Sequence, residues 1–158
     1  MREYGSKSRP RSALLAGFAL AGAGLAPAQP PAPTASPAQP SLREEKVEAF
    51  VAAFNARDLD ALLALADDEI EWLSVSKHEI GVEARGKTAL RESLEGYFQS
   101  CSSCRSELEW TRLAGSRVVA LERASWERAD GPASQRSLSV YEFDGDRITR
   151  VYYFPSEP

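Results

Sequence analysis

The chain has 158 residues, with 19 basic against 23 acidic side chains, one His, two Cys and one Met. That length supports one folded core with appendages but not two full cores, and an apolar fraction of 43% with 9% aromatics excludes wholesale disorder. Positive charge gathers in the first eleven residues, where Arg2, Lys7, Arg9 and Arg11 oppose Glu3; the rest is more acidic than the net −4 of the whole chain and offers no basic surface to displace counterions from a nucleic acid.

Residues 1–28 are organised as a secretory signal. A basic segment precedes an apolar run from Ala13 to Leu25, and Ala26-Pro27-Ala28 gives a small-x-small cleavage pattern. The run is shorter than the ~20 residues needed to span a bilayer, and no Cys follows it for lipid attachment. Pro10 separates Arg9 from Arg11, so there is no twin-arginine pair. The expectation is export to the periplasm or medium, with cleavage near Ala28 and no stable membrane anchor afterwards. Residues 29–40 continue an uncharged tether rich in Pro and Ala, which favours extended states over packing. The folded domain is expected over residues 41–158.

Ser41-Leu-Arg-Glu44 fits a capping box, and Val47, Phe50, Val51 and Phe54 then recur on one helical face. Asn55 to Asp58 breaks the pattern, and Asp58 caps a short second helix carrying Leu59, Leu62, Leu63 and Ala66. Ile70 to Val75 reads as a strand, and a third helix is expected from about Thr88 to Phe98. After Cys104 the period changes to two. Four strands are expected over 105–113, 117–128, 136–143 and 147–154, joined by turns at Ala114-Gly115-Ser116, Ala129 to Ala133, and Asp144-Gly145-Asp146. Turns this short force antiparallel neighbours, so the expected class is α+β: helices first, then a four-stranded meander.

The segments VEAFVAAFNARDLDALLALADDEIEW, GKTALRESLEGYF and SLSVYEFDGDRITRVYYF resemble the nuclear-transport-factor-2-like superfamily in its SnoaL-like branch, over Ser41 to Phe154. The resemblance implies a cone in which a curved, mainly antiparallel sheet wraps the helices and leaves an apolar pocket at its open end. It also implies a range of roles, from isomerases, cyclases, hydrolases and dehydratases to non-catalytic dimerisation modules. No position matches one branch's catalytic set, so no site residue is transferred from it.

Three motifs have spacings that bear on chemistry. Gly81 to Thr88 matches GxxxxGK[ST], but a phosphate cradle must leave a buried parallel strand, and the strands expected here are antiparallel; no nucleotide is expected. Cys101-Ser-Ser-Cys104 lies at the C-terminal end of the third helix, where the dipole disfavours a thiolate. Two Cys and the lone His78 fall short of a four-ligand zinc site, so a small-loop disulfide between Cys101 and Cys104, in keeping with export, is expected, with no metal and no cofactor. His78 stands between Lys77 and Glu79 and reads as a solvated loop residue rather than a general base.

Strand register singles out Glu122. A three-residue turn at Ala114 to Ser116 sets Trp110 opposite Ala120 and Leu108 opposite Glu122. Pairing Trp126 with Leu138, and Leu138 with Val151, then gives one face with Leu108, Trp110, Ala120, Glu122, Ala124, Trp126, Leu138, Val140, Thr149, Val151 and Tyr153. Glu142 falls on that face too, while Tyr141, Arg123, Arg150 and Tyr152 fall on the other. A carboxyl on an apolar face suits general acid or base work, though a one-residue slip would turn Glu122 outward, and an inward Glu122 also suits a purely structural hydrogen bond. Trp72, Trp110, Trp126 and Tyr153 are expected to line the pocket. Two functional readings follow. In one, an exported domain binds a small, largely apolar molecule and, as an enzyme, performs proton-transfer chemistry through Glu122. In the other, it is a non-enzymatic module that homodimerises through the mixed outer sheet face.

Overall fold

The computed structural model describes residues 41–156; the expected secretory signal, its cleavage point and the tether lie outside the described residues. Ser41 starts α1 (Leu42–Ala56) with both halves of a capping box, its Oγ accepting from the Glu44 amide and the Glu44 carboxylate accepting from the Ser41 amide at 2.8 Å. Arg57 ends the helix in the left-handed region, with φ at 63°. Asp58 then caps α2 (Leu59–Ala64) by accepting from the Ala61 amide. The predicted helical face is the buried one: Val47, Phe50, Val51, Leu62 and Leu63 all lie in the core.

β1 (Ala66–Val75) turns at Ser76 to Glu79 into β2 (Ile80–Arg85). The sequence expectation lacks β2: Ile80, Val82 and Ala84 do alternate with Gly81, Glu83 and Arg85, but the run is short, and on this edge strand Ile80 and Val82 are exposed while only Ala84 is buried. Gly86, at φ 80°, allows the sharp passage from β2 into α3 (Gly86–Ser100). The residues of the GxxxxGK[ST] pattern from Gly81 to Arg85 are therefore rungs of a ladder with β1, and Lys87 is paired with Asp68 at 2.7 Å.

Four strands follow as an antiparallel meander: β3 (Arg105–Ala114), β4 (Arg117–Arg128), β5 (Gly131–Asp144) and β6 (Arg147–Tyr153). β1 joins β6 in parallel, which extends the expected four strands to one six-stranded sheet in the order β2-β1-β6-β5-β4-β3. The helices cover one face of this curved, mainly antiparallel sheet. There Phe50, Ile70, Leu90, Val118, Tyr141 and Ile148 meet in a single core. Among the described residues no helix is long and apolar enough to cross a membrane.

The register differs from expectation at each hairpin, for a local reason each time. The first turn uses Gly115 and Ser116 only, so Ala114 pairs with Arg117. A bulge at Glu109 then absorbs one residue. Leu108 still opposes Glu122, but Trp110 pairs with Leu121 instead of Ala120 and faces outward. The second turn uses Ala129 and Asp130, with Gly131 at φ 118° continuing directly into β5. Trp126 therefore pairs with Ala133, not Leu138, and Glu122 pairs with Ser137. This slip is odd, so the two faces of β5 exchange: Ser137, Ser139 and Tyr141 point inward, while Leu138, Val140 and Glu142 point outward. A bulge at Thr149 returns Val151 and Tyr153 to the inner face, opposite Tyr141 and Ser139.

Candidate functional site

The helices and the inner sheet face do not close completely on each other. They leave a cavity of about 440 Å³, within the size range of small-molecule sites. Its helix side is apolar and aromatic, with Phe50 and Phe54 from α1, Leu90, Leu94 and Tyr97 from α3, and Trp72 from β1. Its sheet side is hydroxylic, with Ser106, Glu122, Gln135, Ser137 and Tyr153, and Arg105 and the segment Phe154 to Ser156 also line it. The aromatic side is self-supporting: the Trp72 ring lies 5.0 Å from that of Tyr153 and 6.2 Å from that of Phe50.

Glu122 is the one carboxylate lining this cavity, and at 5% exposure it is the only buried charged side chain among the described residues. Alternation along β4 aims it inward between Ala120 and Ala124. Three hydroxyls converge on it. Tyr141 donates to Oε1 at 2.7 Å, the fully buried Ser139 also donates to Oε1, and Ser106 donates to Oε2 at 2.7 Å. A carboxylate offers about four acceptor positions; three are filled, and the one left open is on Oε2, the oxygen shared with cavity-lining Ser106. None of the ion pairs among the described residues involves Glu122. Hydroxyl dipoles thus stand where a buried carboxylate usually meets a cation.

The surrounding phenols register this charge. Burial first, and the neighbouring Glu122 second, hold both Tyr141 and Tyr153 well above the usual phenol value of 10.0. Their hydroxyls lie 3.4 Å apart, so Tyr153 extends the network from Glu122 to the cavity surface. A carboxyl group fixed by donors at one end and open to an apolar chamber at the other is able to take a proton from a bound molecule or return one.

Of the residues singled out from sequence, Trp72, Glu122 and Tyr153 come together at the cavity. Trp110 does not: the two-residue turn at Gly115 and Ser116 pairs it with Leu121 on the reverse face, where it is 38% exposed. Trp126 shares the strand face of Glu122 but lies further along β4, outside the cavity lining. Glu142 lies on the reverse face, bound by Arg117 and Arg150. His78 is exposed in the turn between β1 and β2. Cys101 and Cys104 form a disulfide at the exit of α3, and among the described residues no group of three or more His, Cys, Asp or Glu side chains is placed to hold a metal ion.

Sequence reasoning missed Ser106, Ser139 and Tyr141, the three donors to Glu122. The signal for Ser139 and Tyr141 was Gly131: read as the start of β5 rather than part of a long loop, it gives the register that turns both inward. Phe50 and Phe54 were visible as one helical face, but their role as cavity wall depends on how far α1 stands off the sheet.

No curated protein matches the chain in sequence. Solved structures do match in fold. An uncharacterized cystatin-fold protein from Novosphingobium aromaticivorans superposes with a TM-score of 0.63 at 23% identity, over 73% of this chain and 98% of its own. Bal32a, from a soil-derived mobile gene cassette, gives 0.62 at 22% identity, over 71% of this chain and 87% of its own. TerC, co-crystallised with polyporic acid, gives 0.62 at 20% identity, over 72% and 90%. The order of two helices, a hairpin, a third helix and a four-stranded meander, the cavity between the two layers, and a match to the SnoaL-like domain that runs from residue 47 to residue 151 together make this chain a member of the SnoaL-like domain family.

Proposed function

We propose that this SnoaL-like domain binds a small, largely apolar molecule in the cavity between its helices and sheet, and transfers a proton to or from it through Glu122. The observation that carries this reading is the open acceptor position on Glu122 Oε2, at the boundary between the hydroxylic and aromatic walls. Trp72 and Tyr153 hold the apolar body of the ligand, and the reaction belongs to the isomerase, cyclase or dehydratase type, in which one positioned carboxyl group moves one proton. The neighbour TerC, co-crystallised with polyporic acid, supports a ligand-holding role for the fold. Export is part of the proposal: a basic-then-apolar opening segment and the Cys101–Cys104 disulfide both fit an oxidising compartment.

The test is native mass spectrometry of the protein purified gently from its own compartment, followed by assay of the identified ligand with Glu122→Gln. A reproducible adduct of small-molecule size and a turnover reduced by about 100-fold or more in the variant are the expected results. Unchanged turnover removes Glu122 from the reaction.

A second reading rests on the reverse face of the sheet. There Trp110, Val119, Leu121, Leu138, Val140 and Tyr152 form a partly exposed apolar band. It is bordered on one side by the chain Arg117–Glu142–Arg150–Glu71–Arg85 and on the other by Glu109 with Arg123 and Arg136. Such a band with a charged rim suits a second copy of the chain. A homodimer that carries no adduct favours this association role over the enzyme.

A further inference from the structure

Ser106 supplies the hydrogen bond that leaves Oε2 of Glu122 with one open position, yet it sits near the start of β3, an edge strand of the sheet. On the side away from β4 an edge strand has unpaired amides and carbonyls, and its ends are the least constrained part of a sheet. Here the gap is filled by a side chain. Asn55, in the last turn of α1, donates from Nδ2 to the Ser106 carbonyl at 2.7 Å and accepts at Oδ1 from the Ser106 amide at 2.9 Å. One amide side chain thus gives Ser106 the two bonds that a neighbouring strand would give. Two residues on, Arg57 donates to the carbonyls of Ser102 and Cys104, and so fixes the disulfide loop that precedes β3. Arg57 anchors the loop; only Asn55 grips Ser106 itself.

We infer that Asn55 is a positioning residue for Glu122, acting through Ser106 to keep one position on Oε2 filled and the other open to the cavity. The inference rests on the reading of Glu122 as the proton-transfer group. α1 carries both Asn55 and the wall residues Phe50 and Phe54, so the same clasp sets the aromatic wall at a fixed distance from the carboxyl group. Thr111 also bonds Glu44 near the start of α1, but the clasp is the tie at the cavity end, where a ligand seated against Phe54 would meet Oε2.

The test reads the carboxyl group directly, in the full chain without added ligand. The infrared band of Glu122 is assigned as the band lost in Glu122→Gln. Ser106→Ala is expected to shift that band, and Asn55→Ala to shift it in the same direction. Adding Asn55→Ala to Ser106→Ala is expected to produce no further shift, because the clasp acts only through the missing hydroxyl. If Asn55→Ala fails to fold, Asn55→Asp keeps the acceptor for the Ser106 amide, loses the donor to its carbonyl, and is expected to give a smaller shift of the same sign. A band that stays in place in the folded variant, or shifts that add in the double variant, would overturn the inference. The band reports position and the turnover of Glu122→Gln reports chemistry, so the failure of one claim is separable from the failure of the other.

Discussion

Leu108 and Glu122 face each other across β3 and β4 only because Glu109 is bulged out between Leu108 and Trp110. The two-residue turn sets Trp110 on the outer face, and the bulge keeps Leu108 and Ser106 on the inner one. The bulge is held from outside: Arg123 and Arg136 both donate to Glu109 Oε1, the latter at 2.9 Å. Deleting Glu109 removes only the extra residue, so it is expected to straighten β3 while Leu108 stays opposite Glu122 and Ser106 opposite Ala124, within reach of Asn55. Glu109→Gln is expected to keep the bulge and lose only the ion pairs. Hydrogen exchange at the Ser106 amide checks this: protection is expected to persist in both variants, and its collapse in the deletion would show that the bulge itself, and not the register, holds Ser106 in place.

The three hydroxyls around Glu122 make a second expectation that separates charge from shape. Glu122→Gln keeps an oxygen for the donors and is expected to fold with a stability change of about 1 kcal/mol. Glu122→Leu leaves the buried hydroxyls of Ser139 and Tyr141 without an acceptor. Each unpaired buried group costs about 1–3 kcal/mol, so the leucine variant is expected to lose about 2–6 kcal/mol despite the gain in apolar character. Chemical denaturation of the two variants measures the difference; a leucine variant as stable as the glutamine one sinks the idea that the network is satisfied only through Glu122.

The inward Glu122 was legible in the sequence, but its partners were not. Helix caps, apolar faces and the Cys-x-x-Cys staple are local, and Ser41, Asp58 and the cysteines announced them. Which residues of β5 face the core depends on how tightly two turns close and where bulges fall. Ala129 to Ala133 contains both Gly131 and Pro132, which read equally well as a long loop and as a tight turn followed by a strand start. The tight turn moved Leu138 and Val140 out and brought Ser139 and Tyr141 in. Glu122 kept its side in spite of this, since a shorter first turn and the bulge at Glu109 offset each other at Leu108. The Asn55 clasp was invisible for a different reason: it joins a helix end to a strand edge distant in sequence, and no local pattern encodes that meeting.

Stability against pH follows from the outer ionic rows. The Arg150 hydrogen bond holds Glu71 below the ordinary value of 4.5. At Glu142 and Glu109 burial pulls upward, but the arginines bound to each bring the net displacement below 4.5 as well. Carboxyls depressed in the folded state contribute stability that is complete above their unfolded value and is lost as pH falls through the folded one. The acid limb is thus expected to begin near pH 4.5 and steepen below it, and Glu142→Gln should flatten it. Tyr141 and Tyr153 are displaced upward from 10.0, so their contribution is complete below pH 10 and declines above it. Denaturation midpoints by circular dichroism across both limits test the signs, with tyrosinate absorbance reporting whether the two phenols ionise only as the fold opens.

The Cys101–Cys104 bridge closes a very short loop, for which chain entropy gives at most about 2 kcal/mol. Arg57 binds the same loop through the carbonyls of Ser102 and Cys104 and stacks 4.0 Å from the Phe98 ring centroid, so the loop keeps an anchor after reduction. Reduction is expected to lower the melting temperature by several degrees in the wild type and by more in Arg57→Ala, where both restraints are gone. Thiol titration under native conditions should find no reactive thiol before reductant is added and two after. Equal losses in the two proteins would show that Arg57 and the disulfide do not support the same loop.

The reverse sheet face yields the last expectation. Leu121 lies between Trp110 and Leu138 in the middle of the apolar band, so in a two-fold dimer through this face each copy places Leu121 near the centre of the contact, and any substitution there occurs twice. Leu121→Lys puts two unpaired ammonium groups into an apolar contact. An uncompensated buried charge costs about 3–5 kcal/mol, enough to weaken association by more than 100-fold. Leu121 is on the opposite face of β4 from Glu122, so the cavity and any adduct it holds should survive the change. Sedimentation of wild type and variant at micromolar concentration decides the matter. A dimer that becomes a monomer with its adduct intact shows that association and ligand binding use separate faces of the sheet. A wild-type monomer shows instead that the band is not covered by a second copy, and leaves the cavity as the functional face of the domain.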